Sequence, residues 1–265
     1  MPCRELPAYY SGLPAFRRLF TQGNPVLTYH KLGPRPWRVR LKGLYLSQSL
    51  FSRQLAELRA AAYQSGSLEG CLTPVKEQRI VITFDDGYEN VLRYGLEPLA
   101  AHHFKAIQFL PVACLGRWNE WDVAVGEARC PIMDAAQVRD WLAAGHEIGS
   151  HTLTHPYLTR LAPPEAREEI AASRKRLEDL FGRRIVHFCY PYGDWNQAVR
   201  DLVAEAGYQT ACTTEPGVNT PDASPFELKR FTARYPSRNL HAVWSRVFGL
   251  RNELSERQGN EPNET

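Results

Sequence analysis

The chain has 265 residues, of which 43% are hydrophobic and 23% charged, with a formal net charge of +3. That composition suits one large core. Its charges are interspersed, which excludes the basic stripe that nucleic-acid binding needs.

No stretch approaches about 18 apolar residues, so no membrane-spanning helix is expected. The opening residues 1–20 lack the apolar core of a secretory leader. A cytoplasmic location is expected for the sequence as it stands, and an extracytoplasmic one if a leader was removed. Six cysteines are scattered without a C-x-x-C pair, which argues against a zinc ribbon and against a disulfide framework. Only loop position favours pairing Cys114 with Cys130. Nothing in the sequence fixes an oligomeric state.

Residues 1–24 read as an N-terminal extension, 25–251 as a single domain and 252–265 as a polar, disordered tail. Within the domain, Pro25–Tyr29 is a short buried strand. Ser47–Tyr63 carries Phe51, Leu55 and Leu58 at helical spacing. Arg79–Phe84 is a strand, Asn90–His102 a helix and Ala106–Leu110 a strand. A long connection follows, "GRWNEWDVAVGEARCP". Asp134–Ala144 is a helix stopped by Gly145, and Glu147–Ser150 a very short strand. Pro163–Phe181 is an amphipathic helix ended by Gly182. Ile185–Tyr190 is a strand, Gln197–Ala206 a helix, and Thr210–Thr213 and Leu228–Thr232 are strands. Leu240–Leu250 closes as a helix.

Strands that alternate with helices pair in parallel, because each crossover returns the chain in the same direction. Seven strands make a closed or nearly closed β/α barrel the leading fold, with an open doubly wound sheet second. Both place functional residues at the carboxyl ends of strands.

Three such ends carry polar groups. Asp85, Asp86 and Gly87 follow one strand. His151 and His155 follow another. Pro191, Tyr192 and Gly193 follow a third. Residues i and i+4 share a face in one helical turn, so two imidazoles there could hold one metal ion. Pro156 disfavours helix at His155, so that turn must be local. Zinc takes nitrogen and oxygen ligands and, in catalytic sites, keeps one position for water. Asp85 or Asp86 could be the third ligand, the other acid taking a proton from the bound water. Ordinary turn chemistry would also explain Asp-Gly.

In this order the motifs resemble the polysaccharide deacetylase family, the NodB-homology or carbohydrate esterase family 4 group. Its T-F-D-D-G motif stands at Thr83–Gly87, and its H-S/T-x-x-H-P motif at His151–Pro156. Its R-P-P-Y-G motif appears as Cys189-Tyr190-Pro191-Tyr192-Gly193. The likeness runs from "LTYHKLG" at Leu27 to "ELKRF" at Phe231. The YPYG form is similar to the subgroup containing poly-N-acetylglucosamine deacetylases.

The resemblance implies a single distorted (β/α)7 barrel. It implies that Asp86, His151 and His155 bind a divalent metal, Zn2+ first and Co2+, Ni2+ or Fe2+ as alternatives. It makes Asp85 the general base and the backbone N–H of Tyr192 an oxyanion donor. The implied substrate is an acetylated saccharide or polysaccharide. Trp118, Trp121 and Trp195 lie in predicted loops at the catalytic face, where indoles can stack on sugar rings. Pro191, His30 and Arg230 complete the candidates for the substrate site.

Two departures stand out. Cys189 replaces the family arginine that pairs with the base. Arg230 could replace it, although a solvent-facing structural role is the plainer expectation. The family's last motif offers Leu-x-His with the histidine as general acid; here "NLHAVW" contains His241, read as a residue of a predicted helix and not as the acid, which leaves the general acid unassigned. Removal of N-acetyl groups is the leading activity. O-acetyl ester hydrolysis, or saccharide binding without catalysis, are the alternatives.

Overall fold

The computed structural model describes residues 9–37, 39–123 and 125–236. The chain enters the sheet at once, through β1 (Tyr9–Tyr10), followed by helix α1 (Arg17–Phe20). β2 (Asn24–Tyr29) is buried at every position. The two-residue strands β3 (Lys31–Leu32) and β4 (Tyr45–Leu46) pair only with each other. Helix α2 (Gln48–Ala60) starts one residue after Ser47, whose hydroxyl accepts from the Leu50 N–H as an N-cap. β5 (Gln64–Ser65) precedes β6 (Arg79–Phe84) and α3 (Glu89–Ala101).

β7 (Ile107–Leu110) leads into the long connection, which contains α4 (Glu120–Val123). Helix α5 (Ala135–Ala143) opens with a capping box made by Asp134 and Gln137. β8 (Glu147–Ser150) and α6 (Pro163–Phe181) fall where periodicity predicts them, the helix ending at left-handed Gly182. β9 (His187–Cys189), α7 (Gln197–Glu205), β10 (Thr210–Cys212), β11 (Val218–Asn219) and β12 (Phe231–Ala233) follow.

The main sheet runs β1-β12-β2-β6-β7-β8-β9-β10, with β5 and β11 attached to β6 and β2. All pairs along this path are parallel. From β2 to β10 the strands follow in chain order, so the sheet has no switch point of the doubly wound kind. It curls instead. Leu228 bridges Cys212 in parallel, exchanging hydrogen bonds with Ala211 and Thr213, and its chain then becomes β12 beside β2. The result is the distorted (β/α)7 barrel. The strand expected at Leu228–Thr232 is thus split: Leu228 belongs to the β10 side, and β12 begins at Phe231.

Apart from the exposed first residues of β6 and β8, strands β2, β6, β7, β8, β9 and β10 are buried on both faces, as parallel strands covered by helices are. One face fills the barrel with Val26, Val81, Ile107, Phe109, Cys189, Cys212 and Leu228. The other packs on the helices, where Tyr29, Phe51, Phe84 and Trp141 meet edge to face or tilted. Cys114 and Cys130 are free thiols. Among the described residues, no helix is long and apolar enough to cross a membrane.

Residues 9–24, within the segment read as an extension, are part of this core. β1 pairs with β12, and Phe16 lies fully buried with its ring 5.1 Å from that of Phe231 and 5.4 Å from that of Phe20. The predicted helix Leu240–Leu250 and the tail 252–265 lie outside the described residues. Phe16→Ala is expected to destabilise the protein by about 3–5 kcal/mol in denaturant titration, the usual loss for a buried aromatic. A change below about 1 kcal/mol would show that residues 9–24 are dispensable to the core.

Candidate active site

The DDG turn answers a physical problem: two adjacent acids, Asp85 and Asp86, are both buried. The chain separates them. Asp86 and Gly87 both take left-handed conformations, with φ of 72° and 73°. The turn therefore sends the two carboxylates to different partners. Gly87 is required, because a Cβ there would lie 2.9 Å from the Leu110 side chain.

Asp85 turns towards Arg230. The guanidinium donates in parallel to both of its oxygens, at 2.8 Å each. Arg230 is itself buried and also donates to Thr28 Oγ1, Thr83 Oγ1 and the Thr213 carbonyl. Its Nη2 lies 3.1 Å from Cys189 Sγ. The expectation of a solvent-facing arginine is therefore corrected. Arg230 fills the barrel interior, and a cysteine, being small, leaves room for it to reach Asp85 from the residue just before β12. Burial alone would push the Asp85 carboxyl up; the charge and hydrogen bonds of Arg230 outweigh it and hold the group below its usual range.

Asp86 turns towards the two histidines. Its Oδ1 is 3.3 Å from His151 Nε2 and 3.2 Å from His155 Nε2. The three side chains form a buried group with the spacing of metal ligands. His151 Nδ1 lies 2.7 Å from the Cys189 carbonyl, which can only accept, so Nδ1 carries a proton. In the neutral ring Nε2 is then a lone pair facing a carboxylate oxygen. Two acceptors so close require a positive charge between them. A proton is one source: burial disfavours charge on His151, but Cys189 and the Asp86 carboxylate raise its pKa. A divalent cation fits the same arrangement, with His151 oriented through its other nitrogen as ligand imidazoles commonly are.

The histidines are not on a helix. Thr152 and His155 have φ of 70° and 67°, so a loop with two left-handed residues brings the rings together. The turn is pinned by a residue that sequence patterns did not reveal. Glu169 of α6 accepts from the N–H groups of Leu153 and Thr154 and from the Thr154 hydroxyl. Its only sequence signal is a glutamate early in a helix that follows the motif. With Tyr192 at φ 59°, four of the six non-glycine residues in left-handed geometry among the described residues are in this site. Such conformations cost about 1–3 kcal/mol each and persist only where surroundings enforce them.

Around the triad, the Trp121 ring stacks on His155 at 4.6 Å and 24°, and Tyr192 meets it edge-on at 4.6 Å. Trp118 is exposed beside Arg129. Trp118 and Trp121 line an open cleft of about 470 Å³ with Arg117 and Thr154. Trp195 is half-buried and stacks on Tyr190. Pro191 is buried under the turn it opens, and Arg230 is buried against Asp85. His30 Nε2 is 3.8 Å from Asp85 Oδ2, and its Nδ1 is buried without a partner. His241 lies outside the described residues.

The sequence profile of the polysaccharide deacetylase family matches residues 73–211, just over half of the chain. The chain belongs to that family. It is 26% identical over 212 residues to the putative polysaccharide deacetylase YxkH of Bacillus subtilis, spanning 78% of this chain and 70% of that one. It is 32% identical over 133 residues to the chitooligosaccharide deacetylase of Azorhizobium caulinodans, covering 49% of this chain and 56% of that enzyme. Among solved structures, IcaB from Ammonifex degensii shares the fold with a TM-score of 0.71 at 21% identity, over 84% of this chain and 97% of its own. A polysaccharide deacetylase from Bacillus cereus gives 0.68 at 24% identity, over 84% and 69%.

Removing the arginine tests the pairing. Arg230→Met leaves Asp85 buried and unpaired, which should cost about 3–5 kcal/mol at pH 7. The depressed Asp85 pKa stabilises the fold above the unfolded value of about 3.9 and is lost as pH falls through the folded value. The gap between wild type and variant in urea titrations should therefore shrink as pH falls towards that range. A gap constant from pH 7 to pH 3 would contradict the ion pair.

Proposed function

We propose that the protein hydrolyses N-acetyl groups on a saccharide or polysaccharide, with Asp85 as general base. The observation that carries this reading is the division of labour between adjacent acids: Asp86 faces two imidazoles, whereas Asp85 is held apart by Arg230. Asp86, His151 and His155 would hold a divalent cation, zinc first among those expected. When bound there it would supply Lewis-acid charge, lowering the pKa of a water and polarising the acetyl carbonyl.

The chain's own groups account for the remaining chemistry. Arg230 keeps Asp85 ionised and aimed, so the carboxylate can take a proton as water attacks. The Tyr192 N–H is the expected donor to the developing oxyanion, a contact commonly worth about 2.7–4 kcal/mol. Burial keeps His30 below its ordinary pKa, against the pull of Asp86 and Asp85. His30, with Nε2 3.8 Å from Asp85 Oδ2, is the proposed carrier of the abstracted proton to the departing amine. Arg230 gives Asp85 the cationic partner that Cys189 does not supply, which favours catalysis over saccharide binding alone. An ester would meet the same groups, so N-acetyl and O-acetyl substrates are compared in parallel.

The test is acetate release from a panel of acetylated oligosaccharides, with and without chelator and added zinc. Wild type should release acetate from N-acetyl substrates and lose activity to chelator. Asp85→Asn should lose about 10²–10⁴-fold in turnover, the usual share of a general base, while retaining zinc. His151→Ala should lose zinc as well. Undiminished turnover in Asp85→Asn would remove the base assignment, and release from esters alone would replace the amidase reading.

A further inference from the structure

Lys31 directly follows His30, and its side chain is completely buried. Its ammonium has no hydrogen-bond partner. It lies between two buried carboxylates, 3.8 Å from Asp122 Oδ2 and 3.6 Å from Glu127 Oε1. It also sits over two aromatic faces, 4.6 Å from the Tyr88 centroid and 4.8 Å from that of Tyr45. Both acids are otherwise satisfied. Glu127 accepts from the Leu41 N–H and the Tyr45 hydroxyl at 2.7 Å each. Asp122 accepts from the Tyr88 hydroxyl at 3.1 Å and from Asn119.

This cluster joins three segments that carry the active site. Lys31 comes from the segment of His30. Tyr88 follows the DDG turn. Asp122 and Glu127 come from the connection between β7 and α5, and Asp122 immediately follows Trp121, the indole that stacks on His155. The described residues of that connection are mostly irregular, with a 3-10 turn at Val112–Cys114 and the short helix α4. Two buried carboxylates repel and bear a desolvation penalty, which a cation between them offsets. Cation–π contact with two tyrosines stabilises a desolvated ammonium further. The sequence gives the cluster away only as a lysine beside a strand and two acids in a loop.

We propose that Lys31 is a positioning residue whose charge latches the 117–130 connection, so that Trp121 and the cleft it shares with Trp118 are held beside His155 for an oligosaccharide. The latch acts on binding of the saccharide and not on the acetyl group itself, because Lys31 touches none of Asp85, Asp86, His151 or His155. The prediction for saccharide turnover rests on the deacetylase reading; the prediction for the connection does not.

The experiment compares wild type, Lys31→Met and the triple variant Lys31→Met/Asp122→Asn/Glu127→Gln. Methionine keeps the length and removes the charge. Limited trypsinolysis reads the connection, which carries Arg117 and Arg129, and acetate release reads the site. Lys31→Met should be cut in this connection at least about tenfold faster. Its KM for an N-acetylated oligosaccharide should rise about tenfold or more, with kcat little changed, as for lost uniform binding. The triple variant has no buried charge to compensate and should recover most of both. Wild-type cleavage and KM in Lys31→Met would overturn the proposal. So would a folded triple variant that is cut as fast as Lys31→Met, since packing rather than charge would then hold the connection. If wild type releases no acetate while the trypsin pattern is as described, the latch stands and the deacetylase reading falls.

Discussion

The active end of this barrel is governed by one electrostatic constraint: neighbouring carboxylates buried together must each find a separate positive partner. Asp85 finds the Arg230 guanidinium. Asp86 finds two imidazoles whose lone pairs call for a proton or a metal ion. The same residue type thus acquires two environments across a single peptide bond. The left-handed conformation of Asp86 makes this possible, since an extended pair would send one side chain into the barrel and the other towards the helices.

The fold serves that separation. Parallel strands bring the DDG turn, the histidine loop and the YPYG turn to one rim. Arg230 enters the interior below the rim, and its hydrogen bonds to Thr28 and Thr83 tie Asp85 to the two central strands. Strain is gathered at the same rim, in Asp86, Thr152, His155 and Tyr192. Glu169 keeps the histidine loop in place from outside, and Asp194 does the same for the YPYG turn by accepting from the Thr159 N–H and hydroxyl. Rigid supports of this kind let a site hold ligands apart from a base without relying on either to fix the geometry.

Much of this was legible in the sequence, for physical reasons that differ by element. β6 and α6 were readable to the residue, because an apolar run ending in Asp-Asp-Gly and a helix flanked by Pro and Gly carry their own boundaries. The seven core strands and their parallel pairing followed from alternation with helices. The metal-type triad followed from residue chemistry at strand ends, together with the family resemblance. What local pattern could not supply was contact at a distance. Arg230 is 145 residues from Asp85, and only the closure of the barrel places them together. The same holds for Lys31 with Asp122 and Glu127, and for β1, whose two residues pair with a strand from the other end of the domain. The histidine spacing suggested a helical turn where a strained loop performs the task, because i and i+4 can also meet through two left-handed residues.

The most direct test is diffraction from zinc-soaked crystals, with anomalous scattering at the zinc edge to locate the ion and its ligands. The account predicts one zinc ligated by Asp86, His151 and His155, with Asp85 still paired to Arg230 and unligated. A zinc held by Asp85, or one bound elsewhere while these four side chains stay as they are, would contradict it.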